Sequence, residues 1–188
     1  PPHDPWWEAQ SYQASFAQMD VPALHVSGWY DGDQPGAPMN YVGMRAHAKS
    51  ERARKNQHLV LGPWTHLFNT STRIGRLDFG PTAVIDLDSV TLRWFDHWLK
   101  GIDNGVERED PVSVFTMVAN EWHREKDWPL PRTEWTKLYL AGDGSANRRD
   151  GGGRLALAPA ADSAPDHYAY DPARMPDIEL DFDDLSGA

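Results

Sequence analysis

The stretch VPALHVSGWYDG, residues 21–32, decides how this chain is read. Val21 to Ser27 form a short apolar, β-prone run that Gly28 stops. Such a run reads as a buried parallel strand. The ionisable Asp31 stands just past its end. A second stretch, HLVLGPWTH at residues 58–66, repeats the arrangement. His58 to Leu61 make the strand, Gly62 and Pro63 stop it, and His66 follows. In open α/β sheets, ligands and catalytic groups collect outside the carboxyl ends of strands. The interval between Asp31 and His66 has room for one helix and one strand, which places both at the tips of adjacent strands.

Working outward, residues 38–55 read as that intervening helix, with Tyr41, Met44 and Ala48 on one side. Upstream, HDPWW at residues 3–7 reads as a turn into a short helix over Glu8 to Met19, capped by Asp4 with Pro5 at its first position. Leu67 to Gly80 reads as a loop. Asp86 to Lys100 is the clearest helix, because Leu87, Val90, Thr91, Trp94 and Trp98 recur at helical spacing. Asp86 and Asp88 near its start and Lys100 near its end suit the helix dipole, and Gly101 supplies a left-handed stop. Strand–helix–strand–helix is the second half of a doubly wound sheet.

After Asn104 and Gly105 the texture changes. Residues 112–118, 134–140, 154–157 and 167–170 read as strands separated by Pro, Gly and Asp, an all-β pattern. Four strands fall short of the seven or so of a full sandwich, so a partial jelly roll is expected. The expected division is 1–106, α/β, and 107–188, β with an acidic end at residues 177–184.

Composition narrows the partners. Nine Trp and enough apolar residues are present for a true core, and no run reaches the length of a membrane span. The formal charge is −10, and eight acidic residues face one basic, Arg174, between Asp162 and Ala188. An acidic chain without a basic stripe argues against nucleic acid. The one basic cluster, Arg45, Lys49, Arg52, Arg54 and Lys55, reads as a solvated helix face. There is no Cys, which rules out thiol chemistry and disulfides and fits a reducing compartment without demanding one. The chain opens at Pro1 without Met, a start read as not the native one.

Asp31 and His66 are the candidate catalytic pair. In triad chemistry the His takes the nucleophile's proton and returns it to the leaving group, while the Asp fixes the imidazole's tautomer and orientation. Asp before His is the order of an α/β-hydrolase after its nucleophile, yet no G-x-S-x-G occurs in the chain. Trp29, Tyr30 and Trp64 flank the pair and are candidate substrate walls or, equally, core. Three rival readings remain. Asp31 to Val42 could open a calcium loop, although Pro35 and Val42 stand where ligands belong. Asp31, Asp33 and His66 could hold a metal for hydrolysis. Trp122, Trp128 and Trp135 could stack on sugars in a non-enzymatic, carbohydrate- or partner-binding β module. His25 reads as a hydrogen-bonded core residue, and no cofactor or metal is expected.

Taken together, VPALHVSGWYDG, LVLGPWTH, LDFG, RWFDHWLKGIDNGV and VFTMVANEW resemble the cocaine esterase/X-prolyl dipeptidyl-peptidase family, whose relatives include glutaryl-7-aminocephalosporanic acid acylases. The resemblance runs from about His3 to Asp171. It implies an α/β-hydrolase core, a helical cap and a β jelly roll, with serine-dependent cleavage of a small-molecule ester or amide. By motif it assigns the aspartate to Asp31 and the histidine to His66. The family's nucleophile Ser, its oxyanion donor, the first half of the sheet and most of the cap have no counterpart here. The expectation is therefore the C-terminal half of the hydrolase sheet followed by a partial jelly roll, inactive without the missing N-terminal hydrolase segment.

Overall fold

In the computed structural model, which describes residues 4–148, 150–160 and 164–174, Asp4 caps the first helix, α1 (Pro5–Gln10). Its carboxylate accepts the Trp6 amide at 2.9 Å. The helix expected over residues 8–19 is split. Ser11 takes an extended conformation, and a 3₁₀ turn, Gln13–Gln18, follows. That turn seats Phe16 against Met44, Ala48 and Ala53.

Strand β1 (Ala23–Gly28) is next, then α2 (Gly36–His47), α3 (Glu51–Lys55) and β2 (Gln57–Gly62). The single helix expected over 38–55 breaks at residues 48–50. The Lys49 amide leaves the helix to donate to Met19 O at 2.8 Å. Ser50 then caps α3 by accepting the Ala53 amide at 3.1 Å. Lys49, Arg52 and Lys55 of the basic cluster are exposed, as on a solvated face, while Arg45 and Arg54 are half-buried. Arg45 pairs with Asp127 at 3.2 Å, Arg54 donates to the Ala48 carbonyl at 2.6 Å, and the Arg52 guanidinium lies over the Trp98 ring.

A short hairpin, β3 (Arg73–Ile74) with β4 (Leu77–Asp78), interrupts the expected loop. Helix α4 (Leu87–Lys100) has the predicted ends. Asp86 accepts the Ser89 amide at 3.0 Å, and Gly101 closes the helix in the left-handed region at φ 72°. Trp94 is buried, with its ring centroid 5.0 Å from that of His58.

Strand β5 (Val112–Thr116), expected in the β domain, extends the first sheet together with β6 (Glu121–Glu125), a strand not expected from the sequence. The sheet order is β1-β2-β5-β6, with the first three parallel and β6 antiparallel. The reason is visible in β5: Val112, Val114 and Phe115 are all buried, as a strand covered on both faces requires. Tyr41, Leu59, Leu61, Val112 and Val114 form the core on one face of this mixed sheet. His25 is the expected core histidine: its Nε2 lies 3.0 Å from Gln57 Oε1, and burial lowers its pKa.

One compact unit ends at Pro131 and another starts at Arg132. Among the described residues, the second contains β7 (Tyr139–Ala141) paired antiparallel with β8 (Arg154–Ala156). The strand expected over 134–140 is therefore shorter, and none forms at 167–170. The acidic stretch 177–184 lies outside the described residues. Among those described, no helix is long and apolar enough to cross a membrane.

Candidate active site

Strands β1 and β2 run parallel in register, so Gly28 and Gly62 sit side by side at their carboxyl ends. Both are glycine because Trp64 packs onto them. A Cβ on Gly28 would lie 2.1 Å from Trp64 O, and one on Gly62 would lie 2.2 Å from the indole. Backbone bonds then tie the two chain exits together. The Trp29 amide donates to Gly62 O and the Tyr30 amide to Trp64 O, both at 2.9 Å. This lacing fixes where Asp31 and His66 emerge.

The two side chains meet. His66 Nδ1 lies 3.1 Å from Asp31 Oδ1. The carboxylate side chain is only 9 % exposed and the imidazole 74 %. Because a carboxylate can only accept, Nδ1 carries the proton and Nε2 is left for a proton partner. Asp31 is held by two further donors. The Asp33 amide reaches the same oxygen at 3.0 Å, and the Ser27 hydroxyl reaches Oδ2 at 3.3 Å. Burial opposes ionisation of Asp31, but the Asp33 amide, the imidazole and the Ser27 hydroxyl outweigh it and hold the pKa below its ordinary value. The pair is an anion with a fixed direction, bonded to an imidazole that faces solvent.

The three flanking aromatics separate. Trp64 is 2 % exposed and its indole N–H donates to Ala83 O at 2.6 Å. Trp29 donates to Phe115 O at 2.8 Å and packs on Trp128. Tyr30 is 40 % exposed, with its ring against Phe79. Of the three, Tyr30 presents the open face.

The rival readings can be placed on the same geometry. Asp31, Asp33 and His66 offer ligand atoms within 4.8 Å of one another. One ion with bonds near 2 Å would draw its tetrahedral ligands to about 3.3 Å apart, and here Nδ1 already serves the Asp31 hydrogen bond. Trp122 packs between Trp64 and Phe115 and donates to Thr82 O, while Trp128 packs on Trp29. Trp135 is exposed. Within the first unit, Trp122 and Trp128 are thus engaged in packing rather than presented as free faces for sugars. Sequence reasoning missed Ser27, whose hydroxyl could have been noticed as the one polar group near the end of an apolar strand.

The chain is similar to known proteins along most of its length. Residues 1–68 match the X-Pro dipeptidyl-peptidase (S15 family), and residues 104–184 match the X-Pro dipeptidyl-peptidase C-terminal non-catalytic domain. A cocaine esterase from Rhodococcus sp. (strain MB1 Bresler) is 34 % identical over 92 % of this chain and 29 % of its own length. An aminopeptidase from a marine sediment archaeon, Thaumarchaeota archaeon, superposes with a TM-score of 0.66 at 32 % identity, over 92 % of this chain and 27 % of that one. An alpha-amino acid ester hydrolase superposes with a TM-score of 0.60 at 26 % identity, over 86 % and 26 %. The chain thus spans under a third of the length of each of these relatives. On its two family matches and these likenesses, the chain belongs to the cocaine esterase and X-Pro dipeptidyl-peptidase family of hydrolases.

Proposed function

We propose that this chain supplies the Asp–His half of a Ser–His–Asp acyl hydrolase, and that the nucleophile comes from sequence outside it. The observation that carries this reading is the Asp31–His66 hydrogen bond at the carboxyl ends of adjacent parallel strands, with the imidazole open to solvent. In this assignment His66 Nε2 takes the serine proton as the hydroxyl attacks an acyl carbon, then delivers it to the leaving group. Asp31 keeps Nδ1 protonated and stabilises the imidazolium. The substrate class is a small-molecule ester or amide, in line with the esterase, aminopeptidase and amino acid ester hydrolase among the relatives. Tyr30 lines the acyl side, while Trp29 and Trp64 brace the loops that carry the pair. The strands of the second unit belong to a β jelly roll, a reading supported by the match to the C-terminal non-catalytic domain.

The test is ester turnover. The 188-residue chain alone should give no His66-dependent hydrolysis. Expressed with an upstream segment bearing a G-x-S-x-G elbow, it should hydrolyse esters and lose roughly a thousandfold or more in kcat on His66→Ala. Turnover by the isolated chain that His66→Ala abolishes would overturn the division of labour. Turnover in the longer form that His66→Ala leaves unchanged would overturn the site.

A further inference from the structure

We infer that Ser27 is a positioning residue for Asp31, holding the carboxylate plane so that Oδ1 faces His66. The inference rests on the triad assignment of Asp31 and His66 and goes beyond it. Ser27 occupies the penultimate position of β1, is 4 % exposed, and lies beside Leu61 of β2. A buried hydroxyl is unfavourable unless it is bonded. The bond Ser27 makes is to Asp31 Oδ2, at 3.3 Å across four residues. At such a site an alanine would serve packing as well, so the hydroxyl is explained by its acceptor.

The geometry gives the bond a purpose. The terminal torsion of an aspartate is broad and roughly two-fold. Donors on one oxygen alone would leave the plane free to swing about that anchor. Asp31 Oδ1 receives the Asp33 amide and the imidazole, both on one side. Ser27 holds the other oxygen, and the two anchors together fix the plane. The chain turns back between them, since the Asp31 amide donates to Gly28 O at 3.1 Å. The strand end and the turn therefore grip opposite oxygens of one carboxylate.

The experiment follows the Asp31 side-chain carboxyl by carbon NMR through an acid titration of the 188-residue chain. In Ser27→Ala the midpoint should rise by about half a pH unit or more, as expected when a carboxylate loses one donor. Ser27→Thr, which keeps the hydroxyl, should restore it. If Ser27→Ala does not fold, the near-isosteric Ser27→Cys, a weaker donor, makes the same comparison. An unmoved midpoint in a folded variant lacking the hydroxyl overturns the inference. The triad reading is tested separately in the longer form. There Asp31→Asn should depress kcat far more than Ser27→Ala, whose loss should be about threefold to tenfold with KM unchanged. A shifted midpoint with full activity in Asp31→Asn would leave Ser27 as the anchor and reject the triad.

Discussion

Strands β2 and β7 are both short and partly apolar, yet they live in different surroundings. All six residues of β2 are buried, while of β7 and β8 only Ala141 is. Leu140 and Leu155 are opposite each other in the β7–β8 pair and are 85 % and 62 % exposed. The first unit brings covering elements for its sheet, with Tyr41 of α2 against one face and Trp94 against His58 of β2. Among the described residues the second unit brings one two-stranded pair, an arrangement that is marginal in water by itself. The candidate site stands at the edge of that burial: the buried strand ends and Trp64 fix the chain exits from which Asp31 and His66 emerge.

The contrast can be broken most forcefully at Trp64. Its indole packs on Gly62, and its N–H donates to Ala83 O. Trp64→Ala should destabilise the first unit by about 3–5 kcal/mol, read by denaturant unfolding. The backbone carbonyl at position 64 that accepts the Tyr30 amide is kept in this variant, so the loss reports on the indole. A loss below about 1 kcal/mol would mean that the first unit does not depend on its core in the way described.

Acid should act on the same unit. His58 in β2 is held down to about 4, chiefly by burial, from an ordinary value of 6.5. Between those two values the unfolded chain binds more protons than the folded one, so stability falls as pH drops through that window. The full swing is about 3 kcal/mol. His58→Leu should flatten this part of the stability–pH curve, measured by chemical unfolding between pH 7 and 4. A curve equally steep without His58 would place the acid sensitivity elsewhere.

The smallest effect belongs to the second unit. Leu140→Ser and Leu155→Ser remove apolar groups that are already exposed, so each should change stability by no more than about 0.5 kcal/mol. Solubility should improve, because an apolar patch is reduced. A loss of several kcal/mol would show that these leucines are covered in solution and would erase the contrast.

The same contrast explains what could be read in the sequence. Strands β1 and β2, helix α4 with its Asp86 cap and Gly101 stop, and the meeting of Asp31 with His66 were legible because local pattern and strand-end logic agree there. The break at residues 48–50 was not, since it depends on a hydrogen bond from Lys49 to Met19, a tertiary partner. The membership of β5 in the parallel sheet was not legible either. An apolar run of that length suits a sandwich or a buried parallel strand equally. Trp29 and Trp64 could not be sorted from Tyr30, because all three lie next to the site in sequence and only packing separates them. Residues 167–170 read as a strand, but among the described residues they enter no ladder, and Tyr168 and Tyr170 are exposed.

The central claim is that the Asp–His pair is already assembled in this chain. Proton NMR of the 188-residue chain, searched downfield for an imidazole N–H bonded to a carboxylate, tests it most directly. A resonance assigned to His66 Nδ1–H that disappears in a folded Asp31→Asn variant is the predicted result. A folded chain whose His66 shows no such proton, or keeps it unchanged in Asp31→Asn, would contradict the account.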